Sequence, residues 1–263
     1  MGYTFYNYNK NKEITLEEEN EYSITNERLK DAIIVNSSLG TKLMIKDFKK
    51  DKDYLIKMGT VIRSNFGHYI GKCSLQKVYY DTDDMYFHNV GINICEIIES
   101  NSKQKEIVVR YDSKRERISY LKFQPDTYLL KVPKKDKISK YYNFIESAIL
   151  QLITNGLQTN VMDLLKTLKP LINVSKKREH WRFTLPSKLI VNCNFDNCIY
   201  TTPKCKDKYK TDILEIMAEN EPNEYSETYE EFIKELILDL PTLIKTKHSD
   251  LFIGLDYLLN IRQ

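Results

Sequence analysis

Four basic side chains stand at alternate positions of one short segment, in the order Lys176, Arg178, His180 and Arg182. Successive residues of a β-strand point to opposite faces, so a strand here would carry all four on one face and Trp181 on the other. Lysine and arginine on one face can neutralise a phosphate chain and fix its orientation. The spacing leaves two interpretations open, a phosphate-binding face and an exposed edge that carries charge.

Acidic residues follow this basic segment at Asp196, Glu215 and Glu219. Glu215 and Glu219 have the same strand parity, and Asp196 is predicted to end the strand before them. Carboxylate oxygens suit Mg²⁺ and Mn²⁺, and such an ion can polarise a phosphoryl oxygen. The residue types are therefore compatible with a metal site, provided that the fold brings them together.

The elements that carry these residues alternate between a strand period and a helix period. Strands are predicted at 43–45, 75–80, 91–99, 106–111, 118–123, 176–183, 188–195 and 211–218. Helices are predicted at 51–58, 139–153, 161–168, 229–240 and 251–258. The order of strands, helices, strands and helices predicts an α+β fold with a mostly antiparallel sheet, which closure would turn into a barrel.

Composition narrows the class of protein. The chain has 263 residues, of which 41% are hydrophobic and 29% are charged, and these values fit a soluble globular protein. No apolar run approaches the roughly 20 residues of a membrane helix, and the first residues lack a signal core, so we expect a cytoplasmic protein without membrane contact. The net charge of +3 disfavours a general nucleic-acid-binding role.

Five cysteines are present, and the odd number without an export signal predicts reduced thiols. Cys193, Cys198 and Cys205 lack the close Cys-x-x-Cys pair of a zinc ribbon. A structural zinc site is the alternative to plain core or loop cysteines.

One segment resembles a known family. Residues 79–85 (Tyr-Tyr-Asp-Thr-Asp-Asp-Met), followed by Gly91, are similar to the CYTH, or triphosphate-tunnel, pattern. That pattern is a strand ending in Tyr-Asp-Thr, a turn with Asp, and a Gly that opens the next strand. Further along, Lys176-Lys177-Arg178 resembles the family's Lys-x-Arg start and Leu214–Met217 its Glu-x-Glu strand, so the resemblance covers residues 41–258.

The resemblance implies an eight-stranded antiparallel tunnel barrel with flanking helices, formed by residues 41–263 after an N-terminal extension at 1–40. The family includes adenylate cyclases, thiamine triphosphatases and inorganic triphosphatases. Its basic residues hold a triphosphate, and its acidic residues hold Mg²⁺ or Mn²⁺. By position, the implied phosphate ligands are Arg110, Lys176, Arg178 and Arg182, and the implied metal ligands are Glu215, Asp196 and Glu219. For Arg110, a surface arginine is the alternative.

Several family positions carry other residues. The first-strand acidic pair is missing from 43–48, the arginine pair falls on Cys95 and Ile97, and Met217 replaces the second acid of Glu-x-Glu. The sequence therefore predicts a protein that binds a triphosphate, polyphosphate or nucleotide, with weak or absent metal-dependent hydrolysis. One alternative is a non-enzymatic module that binds a protein partner through residues 1–40 and the C-terminal helices. Another is an RNA 5′-triphosphatase, which would need the missing acids.

Overall fold

The computed structural model describes residues 31–35, 40–45, 68–111, 127–153, 160–184, 188–218, 226–239, 243–246 and 249–259. The chain forms two compact units: unit 1 comprises residues 1–37 and 76–173, and unit 2 comprises residues 38–75 and 174–263. The described part of the chain contains no helix that is long and apolar enough to cross a membrane.

The strands of the described residues are β1 (Ile33–Val35), β2 (Gly40–Ile45), β3 (His68–Asp81), β4 (Ile92–Glu99), β5 (Gln104–Tyr111), β6 (Thr127–Pro133), β7 (Lys169–Thr184), β8 (Ile190–Thr202), β9 (Cys205–Ala218) and β10 (Leu243–Thr246). The helices are α1 (Tyr86–Asn89), α2 (Tyr142–Leu152), α3 (Val161–Leu165), α4 (Ser226–Asp239) and α5 (Asp250–Leu259). A 3-10 helix at Ile138–Tyr141 precedes α2.

In unit 1 the strands are neighbours in the order β1-β6-β5-β4-β3. The pairs β1/β6, β6/β5 and β5/β4 are antiparallel. Ile94 of β4 and Val109 of β5 are opposite each other and buried, and they pack with Ile145 and Ile149 of α2. The i, i+4 spacing of the two α2 residues places them on one helix face, so this core follows directly from the sequence pattern.

In unit 2 the strands are neighbours in the order β7-β8-β9-β2-β10. The pairs β8/β9, β9/β2 and β2/β10 are antiparallel. One face of this sheet is apolar: Leu43 of β2 lies opposite Leu214 of β9, and both belong to a core that includes Tyr229 and Ile233 of α4. The other face carries the polar residues that form the candidate site.

The predicted α+β class with an antiparallel sheet is confirmed. Among the described strands, β1 and β10 have only 3 and 4 residues, and the eight longer strands correspond in number to those of the predicted barrel. The sequence did not predict β1, β6 or β10. In β6 the adjacent residues Tyr128 and Leu129 are both buried, so this strand lacks the alternation that reveals a half-buried strand.

Several strand boundaries differ from the prediction. β3 begins at His68 and not at residue 75, and β7 begins at Lys169 and not at residue 176. The sequence predicts that a strand ends at Asp196, but β8 continues to Thr202, so Asp196 lies inside the strand. The prediction also begins β9 at residue 211, whereas β9 begins at Cys205 because the polar stretch that follows it pairs with the end of β8. The predicted helix at 51–58, the predicted strand at 118–123 and Glu219 lie outside the described residues.

Candidate functional site

The polar face of unit 2 begins with β7. Lys176, Arg178 and His180 are buried, with exposed fractions of 1%, 4% and 9%, whereas the intervening Lys177 is exposed. The alternation that the spacing predicted is therefore present for three of the four basic residues. Arg182, the fourth, is exposed.

Arg178 is the centre of a buried ion-pair network. Its Nε donates to Oδ1 of Asp196 and a terminal guanidinium nitrogen donates to Oδ2, both at 2.7 Å. The same terminal nitrogen donates to Oε2 of Glu215 at 2.8 Å. The planar guanidinium fork matches the carboxylate geometry, so this contact fixes the orientation of both side chains.

Lys176 joins the same network from the neighbouring position on the strand face. Its Nζ lies 3.1 Å from Oδ2 of Asp196 and 2.9 Å from Oδ2 of Asp250, the first residue of α5. Burial by itself lowers the pKa of Lys176, but the carboxylates of Asp250 and Asp196 outweigh burial and raise this pKa well above its ordinary value. Lys176 therefore stays cationic in the folded protein.

Asp196 is held ionised by the same contacts. Burial raises the pKa of its carboxyl, but Lys176 and Arg178 overcome this effect and leave the pKa below its usual range. We call Lys176, Arg178, Asp196, Glu215 and Asp250 the charge cluster. It contains three carboxylates and two cations, so its formal charge is −1 when all five groups are ionised.

Two further hydrogen bonds border the charge cluster. His180 Nδ1 lies 2.6 Å from Oδ1 of Asn194, which lies opposite Glu215 on β9. The hydroxyl of Tyr200 donates to Oδ1 of Asp250 at 3.4 Å. Among the cluster's side chains, Glu215 is the most exposed at 20%, and the others have exposed fractions of 4% or less. Glu215 is therefore the member of the cluster that is most accessible to solvent, and we call it the rim residue.

The predicted metal ligands do not fit a preformed metal site. Both oxygens of Asp196 already accept hydrogen bonds from cations, and one oxygen of Glu215 does so as well. The described residues contain no group of three His, Cys, Asp or Glu side chains that could hold a metal ion. Carboxylates engaged in this way would share their oxygens between Mg²⁺ or Mn²⁺ and the side chains of Lys176 and Arg178, and the two cations would repel the metal ion.

The structure brings Lys176, Arg178, Asp196 and Glu215 together, as the resemblance implied for four of its seven residues. Arg110 lies in unit 1 on β5 and is exposed.

Sequence reasoning missed Asp250 because it follows Ser249, whose hydroxyl accepts from the Phe252 amide near the start of α5. Acidic residues are common in the first turn of a helix, so the sequence gives no indication that Asp250 forms an ion pair with a distant residue.

In unit 1, the motif that carried the family resemblance has a structural role. The buried carboxylate of Asp81 accepts from the backbone amides of Thr82, Phe87 and His88 at 2.8 to 3.0 Å. Thr82 Oγ1 accepts from the amide of Tyr86 at 2.9 Å. Burial raises the pKa of Asp81, although these hydrogen bonds oppose the shift. Asp81 and Thr82 thus build the turn that leads into α1.

A second buried ion pair lies on the apolar face of unit 1. Lys105 contacts Glu96, which also accepts a hydrogen bond of 2.9 Å from the hydroxyl of Tyr80. Lys105 and Glu96 have exposed fractions of 4% and 5%. Burial and the Glu96 carboxylate raise the pKa of Tyr80, so Tyr80 remains a proton donor. Glu96 therefore belongs to the packing of unit 1.

No family model matches the sequence, and no curated protein matches it. Several solved structures are similar to the chain. A putative adenylyl cyclase from Hippeastrum with a dominant triphosphatase activity is 7% identical, with a TM-score of 0.49 over 83% of this chain and 95% of that chain. A putative adenylate cyclase from Vibrio parahaemolyticus is 10% identical, with a TM-score of 0.45 over 82% and 96%.

The triphosphatase of the mimivirus capping enzyme is 10% identical, with a TM-score of 0.32 over 86% of this chain and 100% of that chain. These neighbours are CYTH-type adenylyl cyclase and triphosphatase proteins, the type that the sequence motifs resemble.

Proposed function

We propose that the chain binds a triphosphate, a nucleotide or another polyphosphate at the charge cluster and hydrolyses it weakly or not at all. The observation that supports binding is the double role of Arg178, which bonds the buried Asp196 and the rim residue Glu215. The proposal assigns this function to residues 41–263. It treats residues 1–40 as an N-terminal extension, from which β1 pairs with β6.

Binding would proceed by an exchange of anions on Arg178. Glu215 is 20% exposed, so its contact with the guanidinium can open toward solvent, whereas Asp196 is fully enclosed. A phosphate oxygen is an acceptor of the same charge and similar geometry, so it can replace the Glu215 oxygen on the guanidinium. Asp196 would keep Arg178 oriented during the exchange, and Lys176 would contribute positive charge from behind.

Weak hydrolysis follows from the same contacts. Phosphoryl transfer needs cationic groups that stabilise the negative charge of the transition state. It commonly also needs a metal ion that bridges the phosphate oxygens. Both oxygens of Asp196 already accept hydrogen bonds from Lys176 or Arg178, so a metal ion would compete with two cations for them. The positions of the family's arginine pair hold Cys95 and Ile97, which bring no positive charge.

Titration calorimetry with tripolyphosphate, with and without Mn²⁺, tests the proposal. We expect binding that does not require Mn²⁺ and that Arg178→Ala abolishes. Glu215→Gln should bind at least as tightly as the wild type, because the competing carboxylate is gone. Glu227→Gln, an exposed residue of α4, is the matched control for the charge change.

Assays of phosphate release from tripolyphosphate and nucleoside triphosphates complete the test, and we expect little or no turnover. Absence of tripolyphosphate binding under both conditions would contradict the proposal. The charge cluster would then be a structural element of unit 2, and the scaffold's role as a module for a protein partner would become the leading hypothesis.

A further inference from the structure

Lysines alternate at the start of β9, on the opposite face from Glu215 of the charge cluster, and a further lysine lies in the turn before the strand. We call them the lysine row, formed by Lys204 of the turn and Lys206, Lys208 and Lys210 of β9. All four side chains are exposed, and none has an ion-pair partner among the described residues. Lys208 and Lys210 lie opposite Thr201 and Ile199 of β8, neither of which carries charge.

The β8/β9 pairing makes the strand part of the lysine row straight and regular. Alternate residues of a strand are about 6.7 Å apart, so Lys206, Lys208 and Lys210 extend over about 13 Å, and Lys204 precedes them in the turn. Further along β9, the same face carries the buried Leu214 and Ile216, and β2 pairs with β9 from Asp212 to Met217. Residues 205–211 pair only with β8 among the described strands, so this part of β9 has an open edge.

An aromatic stack lies on the other side of the same stretch. The rings of Tyr209 and Tyr257 are 3.9 Å apart with an interplanar angle of 3°, and Tyr257 of α5 is 49% exposed. Tyr209 stands between Lys208 and Lys210 in the chain, so its side chain points to the opposite face. The open edge of β9 is thus flanked by lysines on one face and by an exposed tyrosine ring on the other.

We propose that the lysine row and Tyr257 form a binding surface for single-stranded nucleic acid, independent of the charge cluster. A regular line of unpaired lysines is complementary to a linear phosphate backbone, and an exposed aromatic ring can stack on a base of any sequence. Lysine is depleted at protein–protein interfaces, which disfavours a protein partner. Among the described residues, no exposed large apolar side chain lies on β9 itself, and anchoring in a membrane surface needs one beside the lysines.

Lysines on an open strand edge also prevent edge-to-edge association, and that role requires no ligand. Fluorescence anisotropy distinguishes nucleic-acid binding from this protective role. The probe is a labelled uridine oligonucleotide of about 20 residues with a 5′-hydroxyl end. The wild type should bind at low salt. The quadruple variant Lys204→Gln, Lys206→Gln, Lys208→Gln, Lys210→Gln should lose at least tenfold in affinity. Its slope of log affinity against log salt should become shallower by up to about 3, at about 0.7 per phosphate contact.

The matched control removes four other exposed lysines, Lys103, Lys135, Lys137 and Lys177, by the same substitution. It changes the net charge equally, so it should retain most of the affinity if the lysine row is the binding surface. Tyr257→Ala should weaken binding by several-fold without changing the salt slope. Circular dichroism melting curves confirm that each variant is folded.

Equal losses in the two quadruple variants would overturn the proposal, as would a wild type that fails to bind the oligonucleotide at low salt. Binding to phosphatidylserine vesicles in place of the oligonucleotide would also overturn it. The 5′-hydroxyl end keeps this test separate from the proposed function, because that oligonucleotide carries no triphosphate. Tripolyphosphate calorimetry on the lysine-row variant then reports on the charge cluster alone.

Discussion

Arg178 and Asp196 are joined by two parallel hydrogen bonds of 2.7 Å, and both side chains are almost completely enclosed. Such a pair adds little stability over an apolar pair of similar size, but removing one partner leaves a buried charge without compensation. The pair therefore ties the candidate site to the stability of unit 2. A substitution here is expected to change folding together with the proposed ligand binding, so both must be measured.

Arg178→Ala should lower the free energy of unfolding by about 3–5 kcal/mol, because Asp196 keeps its charge and loses two hydrogen bonds. Urea unfolding followed by circular dichroism measures the change. Lys177→Ala, at the exposed neighbouring position, should change it by less than about 0.5 kcal/mol. Arg178→Lys should fall between the two, because an ammonium group cannot make the two-pronged contact. Equal stability of all three variants would show that the fold tolerates Asp196 without the Arg178 guanidinium.

Asp250→Asn should raise the affinity for tripolyphosphate. The substitution removes one of three carboxylates from the charge cluster and keeps the shape of a side chain that contacts Lys176. At an effective dielectric constant of about 20, a charge a few ångströms away contributes about 1–3 kcal/mol, so we expect roughly a tenfold gain. Calorimetry measures it, with Asp256→Asn on the same helix as the control. An unchanged or lower affinity for Asp250→Asn would argue that phosphate does not approach Lys176.

Asp81→Ala should destabilise unit 1 strongly. The substitution leaves three backbone amides without their acceptor, at about 1–3 kcal/mol for each buried donor that stays unsatisfied. We expect a loss of at least about 3 kcal/mol in urea unfolding. Asp83→Ala is the matched control, since Asp83 is two residues away and exposed, and its ion pair with Lys169 is exposed as well. A small effect at Asp81 would mean that water replaces the carboxylate in the turn.

Tyr141 should control the titration of Asp136. The Tyr141 hydroxyl donates to Oδ2 of Asp136 at 2.7 Å, and this bond, together with Lys140, lowers the pKa of Asp136. A lowered carboxyl pKa stabilises the folded protein above the unfolded value of about 3.9, and the contribution is lost as the pH falls through the folded-state pKa. Tyr141→Phe should move the Asp136 pKa upward in an NMR titration. An Asp136 titration that is unchanged in Tyr141→Phe would contradict the prediction.

Sequence spacing predicted only part of the candidate site. The period of two identified the face shared by Lys176, Arg178 and His180, because strand geometry relates sequence spacing directly to direction. Arg182 has the same spacing but is exposed, since the spacing gives a face and not its depth. The end of β8 was misplaced at Asp196 because Asp196 and Asn197 have weak strand propensity, but Ile199 and Tyr200 beyond them favour strands, and the pairing with β9 carries the strand through to Thr202.

The sequence by itself determined the α+β class, the antiparallel strands, the apolar faces of α2 and α4, and the turn motif around Asp81. These features depend on local periodicity and on side chains that bond nearby backbone groups. Only the tertiary structure decided what the charged residues contact. Lys176 and Asp250 are 74 positions apart and meet at 2.9 Å because α5 packs against β8 and β9. A contact of that kind depends on how distant elements pack, and no local pattern records it.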